Sequence, residues 1–177
     1  MRLLKIQDLT MFQSTVLKSG LVAMQSKGST PAMQTEFTTE EEVMFFDTDC
    51  GQVVHNLAYL RMIETCRTKL AAELGFDIRQ MSETQIFPVL TRTEIDYKRP
   101  ARLGDLLEIH GRITQVERVR FWCEFEMRRK DDATVLVTAR QALALVQMPE
   151  GKPLRLPQDI RSACLAAIDG QDAQQRS

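Results

Sequence analysis

Residues 45–75, FFDTDCGQVVHNLAYLRMIETCRTKLAAELG, decide the fold. From Glu42 to Phe46 the chain is rich in strand formers, and DTDCGQ then breaks the pattern, so a strand should end where the aspartates begin. After Val53 and Val54, Asn56 suits a helix cap, and Tyr59, Ile63, Cys66, Leu70 and Leu74 recur at helical spacing until Gly75 stops them. That predicts a helix of about five turns. Its opening, LAYLRMI, is apolar on several sides, which suits a helix enclosed by other elements better than one lying on a surface.

Beyond Met81 the period changes to two. Thr91, Thr93, Ile95 and Tyr97 alternate with Arg92, Glu94, Asp96 and Lys98 until Arg99 and Pro100 end the run. Leu107, Ile109 and Ile113 then alternate with Glu108, His110 and Arg112, and Val119, Phe121, Cys123, Phe125 and Met127 with Arg120, Trp122, Glu124, Glu126 and Arg128. Each run reads as a strand with one buried face. KDDA makes a tight turn into a last strand, about Thr134 to Gln147, ended by Met148 and Pro149. One strand, a long helix and four strands with short connections predict an α+β domain whose antiparallel sheet wraps around the helix. RLPQDIRSACLAAIDGQDAQQRS adds a short helix at Asp159 to Ile168 and a polar tail.

The size and charge of the chain narrow what it does. Its 177 residues favour one domain, and 23 basic against 24 acidic residues leave no large field to attract nucleic acid or an anionic membrane. Cys50, Cys66, Cys123 and Cys164 are irregularly spaced, and two histidines are too few to complete a metal site with them, so reduced thiols in the cytoplasm are expected. No apolar run approaches the roughly 20 residues of a membrane span. In residues 1–35, Arg2, Lys5, Lys18 and Lys27 stand against Asp8 alone. A targeting peptide shares that balance, and a weakly ordered extension with a short helix around Leu9, Phe12 and Val16 is the plainer reading.

A carboxylate at a strand end followed by a helix N-terminus suits acyl chemistry. Free N–H groups and the positive end of the helix dipole polarise a carbonyl while the carboxylate attacks it or activates water. Asp49 and the amides around Asn56 and Leu57 match that pattern, whereas Asx turns are the plainer account of DTD by itself. Cys50 with His55 offers a rival nucleophile and base. Glu64 orients water or substrate, or else pairs with Arg67 or Thr68 on its own helix. His110 falls on a solvated face, and Trp122, on the polar face of its strand, marks an oligomer contact. G-x-S-x-G, the P-loop pattern and H-E-x-x-H are all absent, which argues against a serine hydrolase.

These residues resemble the hotdog-fold acyl-CoA thioesterases, in the branch of 4-hydroxybenzoyl-CoA thioesterase. The matching features in 45–75 are D-T-D-x-G, the paired valines, Tyr59-Leu60, E-x-x-R-T and Leu74-Gly75; a second match is IDYKRPARLGDLLEI at 95–109. The resemblance implies a five- or six-stranded antiparallel sheet curled around one long central helix, over residues 36–160, in a homodimer or homotetramer with active sites at subunit contacts. It makes Asp49 the nucleophile or general base, Asp47 a structural neighbour and the main-chain N–H near Asn56 the oxyanion donor. Glu64 joins them as a catalytic neighbour, with His55 and Tyr59 in substrate binding. Relatives often carry Tyr-His where this chain has His55-Asn56, so only the amide role passes to Asn56. Metal and organic cofactors are not expected. The substrate is acyl-CoA, or acyl-carrier-protein, whose phosphates suit Lys98, Arg99, Arg102, Arg128 and Arg129; a hotdog protein that binds a thioester or a partner without cleaving it is the alternative.

Overall fold

The computed structural model describes residues 34–175. The expectation for the N-terminal extension lies outside these residues but for its last two. The strands are β1 (Glu36–Glu42), β2 (Ile86–Tyr97), β3 (Leu106–Val116), β4 (Arg120–Arg129), β5 (Val135–Gln147) and β6 (Lys152–Leu154); the helices are α1 (Asn56–Glu73), α2 (Ile78–Thr84) and α3 (Gln158–Gln175). All strand pairs are antiparallel, in the order β1-β3-β4-β5-β2 with β6 added to β5. This is the expected hotdog architecture.

The period-two pattern becomes the core. Leu107, Ile109 and Ile113 of β3 and Phe121, Cys123, Phe125 and Met127 of β4 turn inward, and α1 meets them with Met62, Ile63, Cys66 and Leu70. Each large aliphatic side chain removed from water there is worth about 1.5–3 kcal/mol. Gly111 lets the helix settle this close, because a Cβ on it would lie 2.7 Å from the Phe125 ring and 3.0 Å from Cys66 Sγ.

Several boundaries differ from the sequence reading. The first strand ends at Glu42 instead of reaching Phe46, because its partner β3 begins at Leu106, opposite Glu42. The chain then turns through a 3-10 segment, Phe45–Asp47, that the Asp47 carboxylate closes by accepting the Met44 N–H at 3.0 Å. Asn56 is the first helical residue and His55 the cap, so the cap lies one residue earlier than expected. Helix α2 was not anticipated; Asp77 caps it by accepting the Gln80 N–H at 2.9 Å. The terminal helix runs from Gln158 past Ile168 to Gln175, and it buries Ile160 and Cys164, so it belongs to the domain.

The largest departure concerns β2. Its alternation predicts a buried face, yet Thr91 and Thr93 are exposed, Tyr97 is 47% exposed and Ile95 is half-buried. Helix α1 packs chiefly on β3 and β1, away from this edge. Among the described residues, the inner side of β2 is therefore left open.

Candidate active site

The DTD segment forms a closed loop at the mouth of α1. Thr48 and Val54 form an isolated antiparallel bridge, the Asp49 N–H donates to the Val53 carbonyl at 2.9 Å, and the His55 N–H donates to the Asp47 carbonyl at 3.0 Å. Asp47 anchors it. Its buried carboxylate accepts the Met44 N–H and pairs through Oδ1 with Arg61 at 3.1 Å, and Arg61 also reaches Glu41 at 3.5 Å. The structural part that the resemblance implied for Asp47 matches this burial.

Asp49, by contrast, is exposed. Its Oδ1 accepts the Gly51 N–H at 2.7 Å in an Asx turn, and among the described residues no hydrogen bond or ion pair engages its Oδ2. A Cβ at position 51 would sit 3.0 Å from that Oδ1, so the glycine of D-x-G keeps the carboxylate in place. Cys50 is exposed in the same turn, and among the described residues no hydrogen bond joins its thiol to His55.

Directly after the loop, α1 begins with a bare cap, since His55 contributes no side-chain hydrogen bond. The Ala58 N–H donates to the cap's own carbonyl, His55 O, at 3.0 Å, which leaves the Asn56 and Leu57 N–H groups at the positive end of the helix with no intrahelical acceptor. A cleft of about 290 Å³ opens here, lined by Val54, Asn56, Tyr59, Tyr97, Lys98 and Arg99. The Tyr97 hydroxyl donates to the Asn56 carbonyl at 3.3 Å and its ring lies 5.7 Å from that of Tyr59, joining the end of β2 to the helix start. Tyr59 is buried and its hydroxyl accepts the Ala101 N–H at 2.8 Å; burial pushes its pKa up. Lys98 and Arg99 stay exposed at the rim, whereas Arg128 and Arg129 are held by Glu126, Asp105 and Asp132.

Glu64 stands two turns down α1, mostly exposed, with Arg67 at 3.4 Å. Arg67 also donates to Gln141 Oε1 at 2.7 Å, a contact the sequence reading missed. Gln141 is 1% exposed, and its signal was a polar side chain on the buried face of an apolar strand. Below this pair lies a recess of about 200 Å³, lined mainly by apolar side chains between α1, α2 and the sheet.

The outer face of the sheet carries a wider concavity of about 510 Å³, where acids and bases neutralise each other, as in Arg112–Glu124 at 3.3 Å. His110 lies there, half-exposed and 3.3 Å from Glu36. Trp122 is covered by its own chain: Arg140 sits 4.1 Å over its ring, and its indole N–H donates to Glu117 at 3.0 Å, which lowers the pKa of that carboxyl. Among the described residues no cluster of side chains suits a metal ion, and no helix is long and apolar enough to cross a membrane.

The model of the thioesterase-like superfamily matches residues 43–164. An acyl-CoA thioesterase, YbgC, of Haemophilus influenzae is 30% identical over 72% of this chain and 93% of its own. A 1,4-dihydroxy-2-naphthoyl-CoA hydrolase of Synechocystis is 29% identical over the same shares. Among solved structures, a probable thioesterase of Bartonella henselae superposes with a TM-score of 0.64 at 32% identity, covering 69% of this chain and 99% of that one.

Proposed function

This chain belongs to the thioesterase-like superfamily, and from that premise we propose that it is a thioester hydrolase that cleaves acyl-CoA with Asp49 as nucleophile or general base. The observation that carries the reading is one short loop, closed by the Thr48–Val54 bridge, that carries an exposed carboxylate and leads directly into an uncapped helix start. Developing negative charge on the thioester oxygen is met by the Asn56 N–H, and Asp49 either attacks the carbonyl carbon or takes a proton from the attacking water. The C–S bond then breaks and the thiolate leaves; where Asp49 acted as base its proton passes to the thiolate or to solvent, and where it attacked, water hydrolyses the acyl-aspartyl anhydride to release the carboxylate and restore Asp49. Lys98 and Arg99, on the rim of the cleft, would meet the phosphates of coenzyme A, Tyr59 lines the cleft, and His55, the cap residue just before it, contacts the substrate from the loop side. Glu64, further down the helix, borders the path of the acyl group.

The test is thiol release from a panel of acetyl-, hexanoyl-, dodecanoyl- and benzoyl-CoA, followed with a thiol-reactive dye. Release several orders of magnitude above the uncatalysed rate is expected with at least one substrate; none with any would refute the assignment.

A homo-oligomer is part of this reading. Strand β2 is a 12-residue sheet edge with exposed Val89 and Leu90, whereas the opposite edge, β1, is short and carries four glutamates. Charged, short edges resist pairing, and long, bare apolar ones invite it. A second copy pairing along β2 would also wall the open side of the cleft. Light scattering should give a dimer or a multiple of it, and Leu90→Lys should shift the mass toward the monomer; a monomeric native protein would refute the pairing.

A further inference from the structure

We propose that the groove between α1 and β2 holds the acyl chain of the substrate, and that the apolar recess at its far end sets the chain length accepted. This rests on the thioester-hydrolase reading. Tyr97, Ile95 and Thr93 fall on one side of β2 by its period of two. That side faces α1: Tyr97 packs on Tyr59, and Thr93 accepts a hydrogen bond at 3.4 Å from Gln141, the residue bound by Arg67. The helix and strand run antiparallel, with Asn56 beside Tyr97 at one end and Leu74 sharing the recess with Phe87 at the other.

The cleft at the helix start and the apolar recess lie toward the two ends of this face, and the dimensions favour a straight chain between them. Glu64, the first recess residue, lies eight positions beyond Asn56, about 12 Å along the helix. An extended chain advances about 1.2 Å per bond, so about ten bonds separate a carbonyl held at Asn56 from the recess. An aryl group attached directly to that carbonyl ends well short of it. The recess holds about 200 Å³, bounded by Leu70, Leu74, Phe76, Met81, Phe87 and Leu143. At roughly 30 Å³ per methylene, about the share of a water molecule, it takes six or so further carbons. Arg67, bonded to Gln141 and Glu64, forms the polar edge the chain passes. The favoured substrates are therefore acyl groups of about 12–16 carbons.

The experiment compares kcat/KM on CoA esters from two to eighteen carbons and on benzoyl-CoA, for the native protein, Met81→Trp and Met81→Ala. The native values should climb at least about tenfold between hexanoyl- and tetradecanoyl-CoA. Met81→Trp, which fills the recess from the partly buried face of α2, should lower the ratio of hexadecanoyl to octanoyl activity by about tenfold, and Met81→Ala should move the optimum the other way. A flat profile, a preference for acetyl- or benzoyl-CoA, or equal effects of Met81→Trp at all lengths would overturn the inference. Should no thioester be cleaved, the hydrolase reading fails separately, and binding of the thioether S-dodecyl-CoA decides. Tighter binding than CoA itself, weakened by Met81→Trp, supports the recess; binding equal to that of CoA overturns it.

Discussion

Asp49→Asn separates chemistry from structure at the proposed centre. The substitution keeps the shape of the side chain and the oxygen that accepts the Gly51 N–H at 2.7 Å, so the turn survives. That bond is worth about 0.5–1.5 kcal/mol net, and because asparagine retains it, unfolding free energy should move by less than about 0.5 kcal/mol. What disappears is the charge and basicity of the carboxylate. Loss of a positioned base slows turnover by about 10²–10⁴-fold, which corresponds to roughly 2.7–5.4 kcal/mol in the barrier. Thiol release at saturating substrate measures kcat, and a thermal melt on the same preparation measures the fold. A variant that melts like the native protein and keeps kcat within about threefold would refute the role assigned to Asp49. Asp49→Ala serves as the contrast, since it should lose the turn bond, about 1 kcal/mol, together with the activity.

Three further outcomes follow from the packing. Asp47→Ala strands the Met44 N–H and takes one of two carboxylate partners from the half-exposed Arg61, and should cost about 1–3 kcal/mol in a urea titration; a loss under about 0.5 kcal/mol would contradict its anchoring role. Gly111→Ala puts a methyl 2.7 Å from the Phe125 ring and should cost about 1–3 kcal/mol, whereas no loss would show that α1 is free to move away. Burial pushes the Cys123 thiol up to about 12, from an ordinary value near 9. The folded state therefore holds the proton more tightly than the unfolded one: stability is fully present below pH 9 and falls as pH rises toward 12. This thiol's share of the loss should be on the order of 1 kcal/mol at pH 10. Cys123→Ser or Cys123→Ala should flatten that alkaline slope in chemical unfolding at pH 8–10.5, and an unchanged slope would refute the assignment.

Periodicity alone carried most of the architecture, because helix and strand patterns depend on which neighbours along the chain share a face. The alternation in β3 and β4 and the apolar stripe of α1 were legible for that reason, as was the D-T-D-x-G loop, whose bonds join residues a few positions apart. Boundaries that depend on a distant partner were less legible: β1 stops at Glu42 because β3 starts at Leu106. The same limit applies within the site. The sequence singled out Asp49, Asp47, Asn56 and Glu64, but which aspartate is buried and which exposed follows from Arg61, a turn down the helix. Arg67 and Gln141 are 74 positions apart and meet only once β5 lies under α1. Strand β2 marks the division most clearly. Its alternation determined that one face is apolar enough to be covered, and the tertiary structure, by leaning α1 on β3 and β1, decided that the described residues leave that face open.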